Sequence, residues 1–179
     1  ILGNTIGDAV VADSIGRFGI LVGQATNATI SQNTVQNVVA NDNAISSTNN
    51  VTGILLSTGV TNSSLTRNNV SGVRYTGSSG YGGKGIDINT SRAASNLTVA
   101  NNFVSDVRGD GWNSLAGDSV VGLRINGATG GVTLVYNSVN LGSGTFAGNS
   151  SGTLSAAFYA DASTSGLTVR NNIFATNLV

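Results

Sequence analysis

One short stretch occurs five times along this chain, and that recurrence limits what the chain can fold into. ATISQNTVQNV (28–38) returns as SSLTRNNVSGV (63–73), LTVANNFVSDV (97–107), VTLVYNSVNLG (132–142) and LTVRNNIFATN (167–177). A shortened copy, ILGNTIGDA, occupies 1–9. An asparagine marks every copy: Asn4, Asn33, Asn68, Asn102, Asn137 and Asn172. After a shorter first step these are 35, 34, 35 and 35 residues apart. A fixed period of this length is the signature of a solenoid, in which each repeat is one unit stacked on the next.

A second element precedes each copy: Gly19-Ile20-Leu21-Val22, Gly53-Ile54-Leu55-Leu56, Gly85-Ile86-Asp87-Ile88, Gly122-Leu123-Arg124-Ile125 and Ala157-Phe158-Tyr159-Ala160. Alternation here fits a strand with one buried face, the inward pairs being Ile20/Val22, Ile54/Leu56, Ile86/Ile88, Leu123/Ile125 and Phe158/Ala160. Two more short strands flank the asparagine. Ile30, Leu65, Val99, Leu134 and Val169 point inward before it, and Val35, Val70, Val104, Val139 and Phe174 after it. A helix is excluded by the period of two, by turn formers every few residues and by the β-branched apolar set. Three strands this short bury nothing alone; stacked turns bury a continuous core.

The chain GILVGQATNATISQNTV, with its counterparts through AAFYADASTSGLTVRNNIF, resembles the right-handed parallel β-helix repeat proteins of the pectate-lyase-like superfamily, in their secreted bacterial surface type. The resemblance implies an all-β fold: a right-handed parallel β-helix of about five turns, with about 35 residues and three short strands per turn. Residues 1–179 form a single such domain, expected to be a segment of a longer chain. At about 4.8 Å per layer, the rod is about 24 Å long. The repeat is long for this resemblance, and the excess falls between the third strand of one turn and the first of the next, over 39–52, 75–84, 108–120 and 142–155. These segments are expected to emerge along one edge, as insertions in solenoids do.

Composition removes whole classes of chemistry. Net charge is zero, so nucleic acid and anionic membranes are not expected partners. No apolar run approaches the roughly 18 residues of a membrane helix, and no membrane insertion is expected. With no His, no Glu and no Cys, there is no imidazole base, no His–metal site and no disulfide. No catalytic residue is assigned, because no paired carboxylates stand at glycosidic spacing. The superfamily's lyases use an acidic calcium cluster with a basic proton acceptor. By that resemblance Asp106, Asp110 and Arg108 or Arg124 are the residues that would be cast in those roles, but the match is loose and enzyme activity is not the favoured reading.

The asparagine column Asn33, Asn68, Asn102, Asn137 and Asn172 reads as a structural ladder. Asparagine tolerates the left-handed backbone of tight turns, and its amide bonds to the backbone or to the asparagine above. Asp87 and Arg124 take the same outward position on neighbouring strands, where an opposite-charge pair helps by well under about 1 kcal/mol. Tyr75, Tyr81, Trp112 and Phe146 sit in the inserted segments and are the aromatics expected outside the core; the first three carry the ligand-binding reading. With Asp110 they are the candidate ligand-binding set, rings for sugar faces and acid for hydroxyls. Asp106, Asp110 and Asp118 are the densest acid group and the candidate ligands for Ca²⁺, which takes oxygen donors; no other cofactor is expected. Arg108-Gly109-Asp110 also spells a receptor-recognition tripeptide, a match that arises often by chance.

These residues lead to one expectation for function: a structural or adhesive segment of an extracellular or cell-surface rod or filament protein, bacterial by the resemblance. Its partners are neighbouring copies or flanking turns, stacked end to end. The alternative is a carbohydrate-binding or polysaccharide-processing, lyase-like β-helix, with glycans as partners.

Overall fold

The computed structural model of the chain describes residues 1–10, 13–41, 43, 50–110, 119–142 and 155–176. Its strands follow the repeat. The chain opens with β1 (Thr5–Ile6). It then makes β2 (Phe18–Val22), β3 (Thr29–Ser31) and β4 (Thr34–Ala40), followed by β5 (Thr52–Leu56), β6 (Ser64–Thr66) and β7 (Asn69–Tyr75). Next come β8 (Lys84–Ile88), β9 (Leu97–Ala100), β10 (Phe103–Ser105) and β11 (Val107–Arg108). β12 (Val120–Ile125), β13 (Gly130–Val135) and β14 (Ser138–Leu141) precede the last layer, β15 (Ser155–Ala160), β16 (Ser165–Arg170) and β17 (Ile173–Thr176).

Every strand pairs with its equivalent one repeat away, always in parallel. The result is three sheets: β2-β5-β8-β12-β15, β3-β6-β9-β13-β16, and β1-β4-β7-β10-β14-β17 with β11 beside β7. This is an all-β parallel solenoid. Its two five-stranded sheets stack over about four turns, fewer than the five expected, with β1 adding a partial layer to the third sheet. Register follows the sequence repeat: Ile20 aligns with Ile54, Ile54 with Ile86 and Leu123 with Ile86. Among the described residues no helix is long and apolar enough to cross a membrane.

The inward residues meet on the axis. Ile30, Val35, Ile54, Leu56, Leu65, Val70, Ile86, Ile88, Val99, Val104, Leu123, Ile125 and Leu134 are fully buried. Val22, Phe158 and Phe174 only pack partly against this core, and Val169 is exposed, because the end layers have a neighbour on one side only. Each repeat's leading glycine also faces the core. A Cβ at Gly19, Gly53, Gly85 or Gly122 would overlap Cγ1 of Val35, Val70, Val104 or Val139. Glycine is therefore needed here for close approach of two strands.

Candidate functional site

Among the described residues the asparagine column runs through every layer, and it is buried from Asn33 to Asn137. Each side-chain oxygen accepts twice from the layer before it: Asn33 N and Nδ2 donate to Asn68 Oδ1 at 3.0 and 2.9 Å. Asn68 does the same to Asn102, Asn102 to Asn137, and Asn137 to Asn172, at 2.8 to 3.0 Å. Asn4 joins the ladder through Asn33 Oδ1. The second amide hydrogen goes back one layer, from Asn68 to Ile30 O, Asn102 to Leu65 O, Asn137 to Val99 O and Asn172 to Leu134 O. Burial without partners would cost each amide several bonds, and the stack supplies them all.

The left-handed backbone predicted at these asparagines lies one residue earlier. Gln32, Arg67, Asn101, Tyr136 and Asn171 have φ between 54° and 58°, and Gly3 has φ 67°. Turning the chain at the preceding residue leaves the asparagine side chain to enter the stack. Sequence reasoning chose the wrong member of the pair because four different side chains occupy the turn position while the ladder position never varies.

Asp87 and Arg124 are neighbours in register, as expected, but they are not solvent-exposed. Each side chain is only 6% exposed, and the pair is bidentate: Arg124 Nε donates to Asp87 Oδ1 at 2.9 Å and Nη2 to Oδ2 at 2.6 Å. The reading of a weak surface pair is therefore corrected, since desolvation raises both the attraction and the cost of breaking it. Lys84 was overlooked altogether. It is fully buried at the start of β8, and its Nζ donates to Ser119 O.

The loop edge differs most from expectation. Tyr75 is 1% exposed and belongs to the core at the end of β7. Its hydroxyl accepts from Ser79 N at 2.9 Å, and its ring meets Tyr81 edge-on at 5.6 Å. A ring this deep offers no face to a ligand. Tyr81 is half-buried against the core. Trp112, Asp118 and Phe146 lie outside the described residues. Asp110 is buried: its carboxylate accepts from Gly80 N at 2.8 Å and its backbone N–H donates to Tyr81 O. With Gly109 bridged to Gly82, the Arg108-Gly109-Asp110 tripeptide is built into the wall rather than displayed.

Asp106 is held by two guanidinium groups, Arg74 Nη2 on Oδ2 and Arg108 Nε on Oδ1. Its carboxylate oxygens are thus engaged on both sides. Among the described residues no three acids gather as a cation would need. The edge does carry a shallow polar groove. Asn41, Asn43, Thr76, Gly77 and Ser78 line one part, and it continues through Asn41 and Thr76 to Ser14, Gly16, Val39 and Ala40. Exposed aromatic rings stand elsewhere, at Phe103 and Tyr136, on the corner between the second and third sheets. Neither was singled out from sequence, where each looks like one more apolar residue in a strand-rich repeat.

No protein family, characterised protein or solved structure matches the chain.

Proposed function

We propose that this chain is a structural segment of an extracellular or cell-surface rod, of the bacterial β-helix type that its repeats resemble. The observation that supports this reading is the unbroken asparagine ladder from Asn4 to Asn172. From β2 onward each layer is tied to the next by backbone sheet bonds in three places and by a ladder amide in a fourth. Load along the axis is shared by bonds that point along it. The inward positions are spent on packing, and few charges remain to be screened by salt. Adhesion, in this reading, is a property of the loop edge carried on the rod.

Force spectroscopy tests the reading. Pulled from its ends, a ladder-held rod should yield one turn at a time, in steps of about 120 Å for 35 extended residues. A single low-force event releasing the whole chain would refute it. The second reading, carbohydrate binding, draws on the groove at Asn41, Asn43, Thr76 and Ser78, whose amides and hydroxyls suit sugar hydroxyls. A glycan-array hit that is lost on Thr76→Ala and Asn41→Ala would favour it over the purely structural reading.

A further inference from the structure

Two aromatic rings stand in solvent at positions where other layers carry polar side chains. At the turn from the second sheet to the third, the left-handed position is held in successive layers by Gln32, Arg67, Asn101, Tyr136 and Asn171. Asparagine is the non-glycine residue that this backbone accepts most readily, and it fills two of these layers. Tyr136 takes φ 57° at the same place and is 58% exposed, so packing returns little of what the strained backbone costs. Two residues further on, Phe103 is 45% exposed in a column that holds Asn69 in the layer before and Ser138 in the layer after.

The exposure of these rings belongs to the interior of the stack. Phe103 lies on β10, between β7 and β14, and Tyr136 joins β13 to β14, each of which pairs on both sides. Among the described residues they are the two exposed aromatic rings. A strained, exposed side chain that the fold does not require points to a surface role.

Charge sets the same strip apart. Arg67 is exposed in the layer before Phe103 and, among the described residues, makes no ion pair. Arg170 lies in the layer after Tyr136, where its carbonyl accepts from the Tyr136 N–H. No acid occurs in any strand of the second sheet or in the turns from it to the third, over 31–34, 66–69, 100–103, 135–138 and 170–173. The chain as a whole has zero net charge, yet this corner is cationic on either side of its two rings.

We infer that this corner binds an anionic glycan, with sugar rings stacked on Phe103 and Tyr136 and carboxylate or sulfate groups on Arg67 and Arg170. A protein partner would need about 1,000 Å² of well-packed contact, whereas here two separate rings are bordered by the exposed side chains of Asn69 and Asn101. Rings for C–H faces beside amides for hydroxyls are the chemistry of a sugar site, and the uncompensated guanidinium groups select an acidic sugar. Layers about 4.8 Å apart set these groups out along the axis, so the glycan lies along the rod. The corner is rigid, because Asn102 and Asn137 tie its layers together directly beneath, and a preorganised surface loses little freedom on binding. The site is distinct from the groove at Asn41 and Thr76, and it does not depend on the rod reading.

NMR titration of the folded chain tests it, with three probes: an oligouronate, the same oligomer with its carboxyls reduced to alcohols, and a sulfated dextran oligomer. An acidic probe should shift the ring resonances of Phe103 and Tyr136, and the neutral one should bind at least tenfold more weakly. The stronger of the two acidic probes identifies the anionic group. Tyr136→Asn, Phe103→Thr and Arg67→Gln each install a residue that the same column holds in another layer, Asn101, Thr34 or Gln32, so circular dichroism and the urea midpoint should show an intact fold. The first two should weaken binding at least tenfold, and Arg67→Gln should reduce the preference for the acidic probe. Unchanged affinity in Tyr136→Asn and Phe103→Thr, shifts confined to Asn41 and Thr76, or no shift with either acidic probe would overturn the site. Equal affinity for the neutral probe would overturn the anionic class, and corner shifts with oligodeoxythymidine but with neither acidic glycan would overturn the glycan. The groove is judged separately, by Thr76→Ala and Asn41→Ala.

Discussion

Asn102→Leu isolates what the ladder contributes. Asn102 sits mid-stack and is buried, and leucine keeps its branching without its polar atoms. Two donors lose their acceptor: Asn68 N–H and Asn68 Nδ2, which reach Asn102 Oδ1 at 3.0 and 2.9 Å. A buried donor left unsatisfied costs about 1–3 kcal/mol, so the pair amounts to about 2–6 kcal/mol. Leu65 O also loses the Asn102 amide, while Asn137 Oδ1 keeps the Asn102 backbone N–H. Set against the roughly 5–15 kcal/mol of a typical domain, this is a large fraction of the whole. Urea unfolding followed by circular dichroism measures it, with an unchanged slope as the sign that both end states are comparable. Asn4→Leu is the control. Among the described residues no donor depends on its side-chain oxygen, and its own amide bonds lie at the exposed end, so its cost stays below about 1 kcal/mol. The reasoning fails if Asn102→Leu falls within 1 kcal/mol of wild type, or if Asn4→Leu costs as much.

Three further substitutions probe the packing and the charges. Gly85→Ala would drive a Cβ into Val104 Cγ1 and to 2.5 Å from Gly122 O, for a loss of about 1–3 kcal/mol or more in chemical denaturation, recovered in part by Val104→Ala. Asp87→Asn should cost about 3–5 kcal/mol by taking the carboxylate away from the buried Arg124 guanidinium, whereas Asp87→Leu with Arg124→Leu should be near neutral, since Leu21 and Leu55 already fill the first two positions of that column. The Asp161 carboxyl is held below its usual range by the Ser163 hydroxyl and amide at 2.6 and 2.9 Å. Because its folded pKa is depressed, its contribution is present above the ordinary Asp value and lost as pH falls through the folded one. An NMR titration of the Ser163 amide should show this, and Ser163→Ala should move the midpoint up.

The repeat made the fold legible because inward positions obey one rule in every layer. Ile54, Ile86 and Leu123 had to be buried wherever the chain went, and the ladder spacing alone fixed their register. What the sequence left hidden lies where the period lapses. Tyr75 looked like part of an inserted segment because the insertion begins after a strand whose end no glycine marks. The strand runs on, and the Tyr75 ring turns back under the edge. The burial of Asp87 and Arg124 was equally hidden, since alternation says which face a side chain takes and nothing of what covers that face. The groove at Asn41 and Thr76 is made by two different inserted segments, and no periodic signal reports their meeting.

A solenoid repeats the same position several times in one molecule, so each column is a small experiment on what the fold demands. The ladder column holds asparagine in every layer. The column two residues before the inward Ile20, Ile54, Ile86, Leu123 and Phe158 holds Phe18, Thr52, Lys84, Val121 and Ala156 in register, with a buried charge accepted in the middle. The outward column of the first sheet runs Leu21, Leu55, Asp87, Arg124, Tyr159. Apart from the buried Asp87–Arg124 pair, which ties two neighbouring layers, columns that vary this freely contribute little to holding the stack together. Any recognition specific to this chain must be written in them and along the loop edge, while the invariant columns carry the rod. That division explains why the architecture is so plain in the sequence and a ligand is not. It also predicts where change is tolerated: substitutions at outward positions other than the buried Asp87 and Arg124 should leave the hydrogen-exchange protection of the interlayer bonds as in wild type, and those at the buried ladder positions, Asn33 to Asn137, should lower it.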